Sequence, residues 1–505
     1  MVNVAAGLWD NAVADPEKVA LRAPLQEWTF EAVRSAAAHY GGALKSAGVK
    51  PQDRILLIAP SVPEFVVAYY GLQLIGATAI TMNTMATAPE IDYVVQDSGA
   101  SMIIAWHESA THARTVATSG DLPFWLLEAG AECPGAEPVE GPLDIDEQST
   151  AVILYTSGTT GRPKGAELTA GNLLGCSDAF MEVLELEHDD RFGTGLPLFH
   201  VFGQAVVMNT VLRLGASLSL LHPFEPNAML EMMKRDKLTA IAGVPTMWNA
   251  MLHASDNFTA ADFSKLRMAS SGGASLPAEV VRAFTERFGC VILEGYGLTE
   301  TTGAATFNGL NREAKTGSVG ITLPNTYVEI RDLSGVPVPT GEVGEIFIKG
   351  PTVMKGYWER PEATSEDLRD GWLKTGDLGT IDEDGDIRIV DRTKDLIIRG
   401  GYNVYPREVE EVLYEHPAIF EVAVVGVPDE HFGEEIAAVI VLAPGASLTG
   451  DELRVWAKEQ LSAYKVPRLF QFVDALPKGA TGKILKRAIG RDELTAQASI
   501  RKSKA

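Results

Sequence analysis

The sequence predicts an α/β fold, with a mainly parallel sheet covered by helices and a second, small α/β domain toward the C-terminus. In the first third of the chain, short apolar runs alternate with segments of helical periodicity, as they do in strand–helix–strand units. Near residue 340 the pattern changes to paired strands, and a charged stretch then precedes a further α/β segment of about 110 residues. A chain of 505 residues is also too long for one hydrophobic core, so we expect about three units.

The N-terminal elements are predicted from their apolar patterns. Arg54–Pro60 (RILLIAP) is almost wholly apolar, as expected for a strand buried on both faces. Apolar residues recur at helical spacing over Glu64–Ile75, and Gly76–Met82 (GATAITM) returns to strand character. A proline opens the next predicted helix, Pro89–Ser98, which precedes a strand at Ser101–Trp106. Units of this kind favour a parallel sheet.

Beyond residue 340 we predict antiparallel strands followed by a linker. Gly344–Lys349 (GEIFIK) is one strand, and Leu378–Ile381 (LGTI) and Ile387–Val390 (IRIV) form a hairpin across the acidic turn DEDGD. The charged stretch DRTKDLIIRGG follows the hairpin and ends in two glycines. This stretch is the best candidate for an interdomain linker.

The segment after this stretch has the pattern of one small α/β domain. Pro406–His416 predicts a helix opened by proline, and Phe420–Val427 and Ile436–Leu442 predict strands. Thr449 and Glu452 have the spacing of a capping box, which predicts another helix that runs through about Ser462.

Composition and charge limit the classes of function. With 43 Lys and Arg against 67 Asp and Glu, the net charge of −24 argues against nucleic acid as a partner and allows at most weak peripheral membrane contact. The three cysteines, Cys133, Cys176 and Cys290, have no paired spacing, which argues against a disulfide framework or a zinc site and favours the cytoplasm. The most apolar stretch, Phe65–Ile80, is shorter than the roughly 20 residues of a membrane span, and the N-terminus lacks a signal peptide's basic region.

A loop rich in glycine, threonine and serine, TSGTTGRPKG at 156–165, follows the strand-like run Ala151–Tyr155. Glycines at the end of a sheet strand let backbone N–H groups converge on an anion, and hydroxyls and a lysine add donors and positive charge. The loop does not have the Walker A spelling. We interpret it as a phosphate site rather than as a flexible surface loop. Its candidate ligands are Thr156, Ser157, Gly158, Thr159, Thr160, Gly161 and Lys164.

Two more glycine-rich segments, SSGGA at 270–274 and EGYGLTETT at 294–302, are candidates for a purine site. Tyr296 stands between two glycines, which leaves its ring free to lie on a purine, and Glu300 is a hard oxygen ligand suited to Mg²⁺ beside phosphates. Each segment alone is also compatible with an ordinary turn. The candidate nucleotide ligands are Gly272, Gly273, Ala274, Glu294, Gly295, Tyr296, Gly297 and Thr299.

Four single residues are further candidates. Asp377 and Arg392 flank the predicted hairpin, which brings them close enough to bind a ribose and a phosphate, with a structural salt bridge as the alternative. Lys483 lies on the Gly/Thr loop PKGATGKI, where a mobile lysine is suited to act as a switchable charge. His200 in PLFHVFG has neither an acidic partner nor a second histidine nearby in sequence, which argues against a metal site or a Ser–His triad.

In their order along the chain, these motifs resemble those of the adenylate-forming superfamily, which includes acyl-CoA synthetases, plant coumarate-CoA ligases, firefly luciferase and peptide-synthetase adenylation domains. The resemblance runs through YTSGTTGRPKG, PLFHVFG, SSGGA, EGYGLTE, GWLKTGD, DRTKDLIIRGG and PKGATGKILKR, and covers essentially the whole chain. It implies an N-terminal domain, residues 1–393, with two doubly wound sheets and a distorted β-barrel, and a small mobile lid, residues 394–505.

The resemblance also implies a two-step reaction and a role for each candidate. A carboxylate would attack the α-phosphate of ATP to give an acyl-adenylate and pyrophosphate, and the thiol of coenzyme A would then displace AMP. The loop at 156–164 would hold the β- and γ-phosphates, and Lys483 would bind the carboxylate and the α-phosphate. Glu300 would hold Mg²⁺, Tyr296 would stack on adenine, and Asp377 would bind the ribose.

The second step assigns roles to four further residues by the same resemblance. Lys394 occupies the hinge position of the family. Rotation there would withdraw Lys483 and present Gly400 and Gly401 to the pantetheine tunnel of coenzyme A. His200 matches the position at the junction of the tunnel and the acyl pocket.

The acyl substrate is expected to be apolar. Malonyl-CoA synthetases resemble this chain but carry an arginine where this sequence has Gly295, so a second carboxylate would lack its partner. The segments at the family's pocket positions are largely apolar and favour a medium- or long-chain fatty acid, with an aryl acid such as a coumarate as the alternative. The predicted pocket residues are Phe199, Val201, Gly203, Gln204, Met208 and Gly303.

Three alternatives to coenzyme A ligation are less well supported by the sequence. No carrier domain follows Ala505, which disfavours a modular peptide synthetase, and luciferase-like oxidation would need an oxygen-reactive substrate. A non-catalytic nucleotide-binding regulator would be expected to lack Lys483 or Glu300, and this sequence has both. The expected partners are therefore ATP, coenzyme A and a small carboxylic acid, and a homodimer is left open.

Overall fold

Two mainly parallel sheets, a smaller antiparallel sheet and a separate C-terminal sheet make up this computed structural model. It describes residues 1–24, 26–130, 136–156, 162–254, 257–332, 334–492 and 494–495. Within these residues, no helix is both long and apolar enough to cross a bilayer. The predicted α/β architecture is confirmed.

The first sheet has seven strands, of which the central ones are parallel. In spatial order the strands are Gly356–Tyr357, Lys164–Thr169, Thr150–Thr156, Thr78–Met82, Arg54–Ile58, Met102–Trp106 and Phe124–Leu127. Arg54–Ile58 is buried except at its first residue, because apolar side chains leave both of its faces and each face is covered. The predicted strands and the helices Pro63–Leu74 and Ala88–Ser98 are confirmed.

The second sheet has nine strands with a parallel centre and antiparallel edges. Its strands, in spatial order, are Ile321–Thr322, Thr306–Phe307, Ile292–Tyr296, Met268–Ser271, Ala240–Gly243, Arg191–Thr194, Ser217–Leu220, Val19–Ala23 and Gln26–Thr29. Every residue of the helix Pro63–Leu74 is buried, in a core shared by both sheets. The two sheets therefore form one body.

Helices cover the two sheets. Besides the two already named, the α-helices of this part are Ala6–Ala14, Phe30–Ser46, Ala110–Ser119, Ala170–Val183, Thr210–Leu214, Pro226–Arg235, Pro245–Leu252, Ala278–Phe288 and Pro361–Asp367. A π-helix at Phe202–Asn209 follows directly after the PLFH segment. Such π-helical turns are uncommon and are often found at functional sites.

The predicted barrel region is a five-stranded antiparallel sheet. Its strands are Tyr327–Arg331, Gly344–Lys349, Leu368–Arg369, Trp372–Ile381 and Ile387–Arg392. The predicted hairpin across DEDGD is confirmed, but its first strand begins at Trp372, six residues earlier than predicted. Gly376 breaks the apolar pattern that would indicate a strand in the sequence, and its φ is positive. The pairing with Gly344–Lys349 nevertheless continues on both sides of it.

The C-terminal part has a five-stranded sheet of its own and two helices. The strands are Ile397–Arg399, Tyr402–Val404, Ile419–Asp429, Gly433–Leu442 and Leu469–Phe472, and the helices are Pro406–Tyr414 and Gly450–Gln460. The capping box at Thr449 is confirmed. Two apolar cores form within residues 397–494, which accounts for the compact α/β pattern of the sequence.

The predicted linker is shorter than expected. Within DRTKDLIIRGG, the connection between the two parts is limited to residues 393–396, because Ile387–Arg392 and Ile397–Arg399 are both strands and the two glycines form the next turn. The apolar pair Ile397 and Ile398 was concealed in the sequence by the charges around it. The boundary between residues 393 and 394 stays a prediction, and it falls inside the turn at 393–396.

The close packing of the helix Phe30–Ser46 gives a first testable prediction. A Cβ at Gly42 would meet the backbone carbonyl of Glu137, whereas one at Gly175, in Ala170–Val183, would contact only Pro351 at 3.4 Å. Overpacking of this kind costs about 1–3 kcal/mol. We expect Gly42→Ala to lower the melting temperature by a few degrees and Gly175→Ala to leave it unchanged or raise it. Equal melting temperatures for the two variants would contradict this account of the packing.

Candidate active site

Two side chains, from two sheets, meet at the carboxylate of Asp377, and we call the three residues the nucleotide corner. Tyr296, at the end of the strand Ile292–Tyr296, donates its hydroxyl to Asp377 Oδ2 at 2.6 Å. The guanidinium of Arg392 lies 3.2 Å from Asp377 Oδ1, because the hairpin register places the two residues directly opposite each other. Burial and the neighbouring Asp377 raise the pKa of Tyr296 well above its usual range, so the phenol keeps its proton. The predicted proximity of Asp377 and Arg392 is confirmed.

The glycines beside Tyr296 are required for packing. A Cβ at Gly295 would lie 2.9 Å from a ring carbon of Phe307, and one at Gly297 would overlap the backbone at Ala304. Gly295 is also the residue paired with Phe307 across two antiparallel strands. The glycines therefore allow the strand Thr306–Phe307 to approach closely, a reason that the sequence pattern did not reveal.

The remaining residues predicted for the nucleotide lie around the same strand end. A Cβ at Gly272 would lie 3.7 Å from the carbonyl oxygen of Gly295, and Gly273 has a positive φ that favours glycine. Ala274 follows them in the same loop, and Thr299 begins a 3-10 turn that carries Glu300. The two glycine-rich segments therefore meet, as the sequence predicted.

A second group, the phosphate corner, consists of Thr156, Lys164, Glu300, Tyr357 and Asp367. Glu300 Oε1 accepts the hydroxyls of Thr156 at 3.2 Å and Tyr357 at 3.1 Å. The Tyr357 hydroxyl also lies 3.2 Å from Asp367 Oδ2, which pairs with the Lys164 ammonium at 3.3 Å. Lys164 lies 4.1 Å from the centre of the Tyr357 ring. The structure thus brings together three predicted residues and two that sequence analysis missed.

Part of the predicted phosphate loop cannot be placed in this way. Ser157, Gly158, Thr159, Thr160 and Gly161 lie outside the described residues. Their roles stay predictions.

The donor set of the phosphate corner fits Mg²⁺. Glu300 supplies a carboxylate, and Thr156 and Tyr357 supply hydroxyls, all hard oxygen groups. Within the described part of the chain, no three His, Cys, Asp or Glu residues are grouped to hold a metal ion. Mg²⁺ commonly binds through one or two carboxylates together with substrate phosphates, so a single glutamate beside a phosphate site is a suitable arrangement.

The loop that carries Lys483 docks on the large N-terminal part. Thr246 donates its hydroxyl to the carbonyl of Gly482 at 3.3 Å, and Asn249 donates its amide to the carbonyl of Phe420 at 3.1 Å. Burial, and secondarily the positive charge of Arg392, lower the pKa of Lys483 to about 8, while Asp377 opposes that shift. The charges of Arg392 and Asp377 thus act on Lys483, and its part in catalysis stays a prediction.

Contacts next to the turn at 393–396 also join the C-terminal part to the strand Ile387–Arg392. The backbone N–H of Arg407, at the start of the helix Pro406–Tyr414, donates to Asp391 Oδ2 at 2.9 Å. The Arg407 guanidinium donates to the carbonyl of Ile389 at 2.7 Å. Burial raises the pKa of Glu294 to about 7, and the positive charge of Arg407 opposes that rise. Glu294, predicted as a nucleotide ligand, thus lies near the C-terminal part.

His200 is neutral and has a defined tautomer. Its Nδ1 accepts the backbone N–H of Phe202 at 3.3 Å, so the ring proton lies on Nε2. Burial, and then the positive charge of Lys483, lower the pKa of His200 to about 4. Thr81 holds the loop before the histidine, because its hydroxyl donates to the carbonyl of Phe199 at 2.9 Å.

The residues predicted for the acyl pocket lie in the loop and π-helix that follow. Val201 and Met208 are buried, and a Cβ at Gly303 would lie 2.9 Å from Val206 and 3.4 Å from Val201, so these segments are in contact. Gly203 packs closely on the carbonyl of Pro197. Phe199 is partly buried, and Gln204 is fully buried with its amide donating to Thr81 Oγ1 and the carbonyl of Leu198 at 3.1 Å each. Their contacts with a substrate stay predictions.

Three predicted residues lie outside this site. Lys394 is exposed in the turn at 393–396. Gly400 and Gly401 have φ values of +58° and +83° and form the turn between Ile397–Arg399 and Tyr402–Val404. A Cβ at Gly400 would meet only Phe432, and one at Gly401 would meet no atom within 4 Å. The predicted roles of Lys394 at the hinge and of the two glycines at the pantetheine tunnel stay predictions.

Comparison with known proteins agrees with this geometry. Residues 8–358 match the family described as AMP-binding enzyme, and residues 408–483 match the AMP-binding enzyme C-terminal domain. The chain is 39% identical to a feruloyl-CoA synthase from Amycolatopsis sp over 496 residues, 97% of this chain and 99% of that one. It is 36% identical to a long-chain-fatty-acid–CoA ligase from Bacillus subtilis (strain 168) over 526 residues, 96% of this chain and 94% of that one.

Among solved structures, ATP-bound MatB from Rhodopseudomonas palustris superposes with a TM-score of 0.92 at 32% identity and covers 99% of each chain. Apo MatB gives a lower TM-score of 0.81. The likeness includes both parts of the chain and is greater to the nucleotide-bound form. Taken with the fold and the two corners of the site, these matches show that the chain belongs to the AMP-binding enzyme family and is an AMP-forming acid–CoA ligase.

Proposed function

We propose that this enzyme activates a monocarboxylic acid with an apolar body, in the first place a medium- or long-chain fatty acid, and transfers it to coenzyme A. The observation that carries this proposal is the contact between Gly295 and Phe307. The related dicarboxylate enzymes place an arginine at the position of Gly295, and here the ring of Phe307 occupies the space beside it. A second carboxylate would be buried there without a cation, at a cost of several kcal/mol.

An aryl acid is the second candidate. The feruloyl-CoA synthase matches 97% of this chain at 39% identity, and an apolar pocket accepts a ring as well as an alkyl chain. The fatty-acid candidate is supported by the apolar segment around Val201 and Val206 and by the long-chain ligase from Bacillus subtilis. A fatty acid and an aryl acid would both be adenylated and then transferred to coenzyme A through their carboxyl group.

In the first step, a carboxylate oxygen attacks the α-phosphorus of ATP and the bond from that phosphorus to the β-phosphate oxygen breaks. The ammonium of Lys483 would neutralise the charge that develops on the α-phosphate. Asp377 would accept the ribose hydroxyls, and Tyr296 would support the adenine. Mg²⁺, when held at Glu300, would offset the negative charge of the phosphates.

Protonation states at neutral pH suit this step. With a pKa of about 8, Lys483 is mainly an ammonium at neutral pH, although the margin is small. With a pKa of about 4, His200 stays neutral, and its Nε2–H is a donor suited to orient the substrate carboxylate. A cationic lysine and a neutral histidine beside each other avoid the repulsion that two cations would have.

In the second step, the coenzyme A sulfur attacks the acyl carbon and the bond from that carbon to the AMP oxygen breaks, while the thiol proton is released. In this structure the loop of Lys483 contacts Thr246 of the N-terminal part, whereas a Cβ at Gly400 would meet only Phe432 and one at Gly401 no atom within 4 Å, so we infer that the C-terminal part must rotate to bring these glycines to the site for this step. The turn at 393–396 is the point of rotation, and residues 1–393 and 394–505 are the two bodies. Rotation would break the contacts of Thr246, Asn249 and Asp391 described above.

We place the enzyme in the cytoplasm, where ATP and coenzyme A are available. Cys176 and Cys290 are buried free thiols, and Cys133 lies outside the described residues. Burial raises the pKa of both described thiols to about 12, which keeps them unreactive.

The substrate proposal predicts a large difference between acids. In an assay of pyrophosphate release, we expect kcat/KM for octanoate to exceed that for malonate by on the order of 100-fold or more, because malonate would bury an unpaired carboxylate. Palmitate and ferulate in the same assay distinguish the fatty-acid candidate from the aryl candidate. Comparable values for malonate and octanoate would contradict the argument from Gly295.

The two steps predict opposite defects in two lysine variants. Lys483→Ala should slow pyrophosphate release by about 100-fold or more, a loss of about 3 kcal/mol, because it removes charge stabilisation in the first transition state. Supplied with presynthesised acyl-adenylate, the same variant should still form the thioester. Lys394→Pro should do the reverse, because a fixed φ at the turn opposes rotation.

Matched variants control for charge and for the loop. Lys478, on the same loop as Lys483, pairs with Glu421 at 2.6 Å, so Lys478→Ala should leave pyrophosphate release nearly unchanged. Lys394→Ala removes the charge but keeps the freedom of φ, and should retain both steps. Equal loss of both steps in Lys483→Ala and Lys394→Pro would rule out alternation between two positions of the C-terminal part.

A further inference from the structure

Tyr357 holds a central place in the phosphate corner that the motif assignments do not explain. Its hydroxyl lies 3.1 Å from Glu300 Oε1 and 3.2 Å from Asp367 Oδ2. Its ring lies 4.1 Å below the Lys164 ammonium. Tyr357 is only 7% exposed, so these contacts are largely shielded from water.

The backbone fixes Tyr357 relative to both partners. The strand Gly356–Tyr357 pairs with Lys164–Thr169, with Tyr357 opposite Ala166. The N–H of Met354 donates to the carbonyl of Glu300 at 2.8 Å, three residues before the tyrosine. One short segment therefore binds both the strand that leaves the phosphate loop and the turn that carries Glu300.

The two oxygens of the Glu300 carboxylate differ in their surroundings. Oε1 accepts the hydroxyls of Thr156 and Tyr357. Among the residues that the structure describes, no hydrogen bond reaches Oε2. Two donors on one oxygen fix the plane of the carboxylate and leave the other oxygen available for a metal ion.

The positive charge of Lys164 also needs a negatively charged partner other than Glu300. Without one, the ammonium would be drawn to Glu300 and would neutralise the metal ligand before ATP arrives. Asp367 pairs with Lys164 at 3.3 Å, and the Tyr357 ring lies under the ammonium. This arrangement keeps the lysine near the phosphate loop and away from Glu300.

We propose that Tyr357 is a positioning residue for Glu300, which directs one carboxylate oxygen to the Mg²⁺ that accompanies ATP. Asp367 Oδ2 is the other acceptor within reach of the single phenolic proton, which the two carboxylates share, and Asp367 is also the counter-charge of Lys164. The inference rests on the proposed binding of ATP and Mg²⁺ at the phosphate corner, and is independent of which acid the enzyme uses.

Binding of ATP measured by calorimetry, without acid or coenzyme A, tests this role apart from turnover. Tyr357→Phe keeps the ring over Lys164 and removes only the hydroxyl. We expect its affinity for ATP with Mg²⁺ to fall by about 10-fold, as for other residues that orient metal ligands, and its affinity for ATP with EDTA to stay within about 2-fold of wild type. Tyr70→Phe, which removes a buried hydroxyl bonded to Asn209 at 3.1 Å, should change neither affinity.

A double variant separates positioning from general packing. In a Glu300→Gln background, Tyr357→Phe should have no further effect on affinity with Mg²⁺, because the ligand that it orients is already lost. Should Tyr357→Phe fail to fold, Thr156→Val removes the other donor to Oε1, and because Thr156 is also a candidate phosphate ligand, its affinity for ATP should fall in both conditions but clearly more with Mg²⁺ than with EDTA. Equal losses with Mg²⁺ and with EDTA, no loss at all, or additive losses in the double variant would each overturn the proposal.

Discussion

The rest of the site depends on the hydrogen bond and the ion pair that the buried carboxylate of Asp377 makes. This carboxylate is 3% exposed, and it accepts the hydroxyl of Tyr296 from the second sheet and pairs with Arg392 across the hairpin. It also opposes the fall in the pKa of Lys483 that burial and Arg392 cause. Without this negative charge, two cations would face each other in a poorly solvated space, and the lysine loop would dock less favourably. One side chain thus joins two sheets and the C-terminal part.

The two corners of the site, one proposed for the nucleoside and one for the phosphates, are built on different sheets. The nucleotide corner, with Asp377, Tyr296 and Arg392, is built on the second sheet and the antiparallel sheet. The phosphate corner is built on the edge of the first sheet, where Lys164 and Tyr357 lie on paired strands and Glu300 reaches across from a 3-10 turn. Because the shared core of the two sheets is rigid, the distance between the corners is set by the fold. The contacts of Thr246, Asn249 and Asp391 with the C-terminal part are polar, and they are the contacts that the proposed rotation would break.

Sequence reasoning was strongest where the signal was local. The strand–helix–strand pattern, the hairpin across DEDGD and the capping box at Thr449 all depend on neighbours in the chain, and each is confirmed. Even the pairing of Asp377 with Arg392 follows from hairpin register. The reasoning was weaker where contacts are distant: Tyr357 and Glu300 are 57 residues apart, and Thr156 and Glu300 are 144 apart. The sequence around Tyr357 gives no indication that this residue contacts Glu300. The glycines beside Tyr296 suggested an open ring face, but Gly295 is required by the close approach of Phe307 and Gly297 by that of Ala304. The linker was drawn too long because charges concealed the short strand Ile397–Arg399.

The central claim is that this site directs a carboxylate to the α-phosphate of ATP while the phosphate corner retains the other two phosphates. Phosphorus NMR of the products from ATP, Mg²⁺, octanoate or ferulate, and coenzyme A tests it most directly. The account predicts AMP and pyrophosphate in equal amounts, formed only when the acid is present. ADP and inorganic phosphate as the acid-dependent products would place the attack on the γ-phosphate and contradict the account.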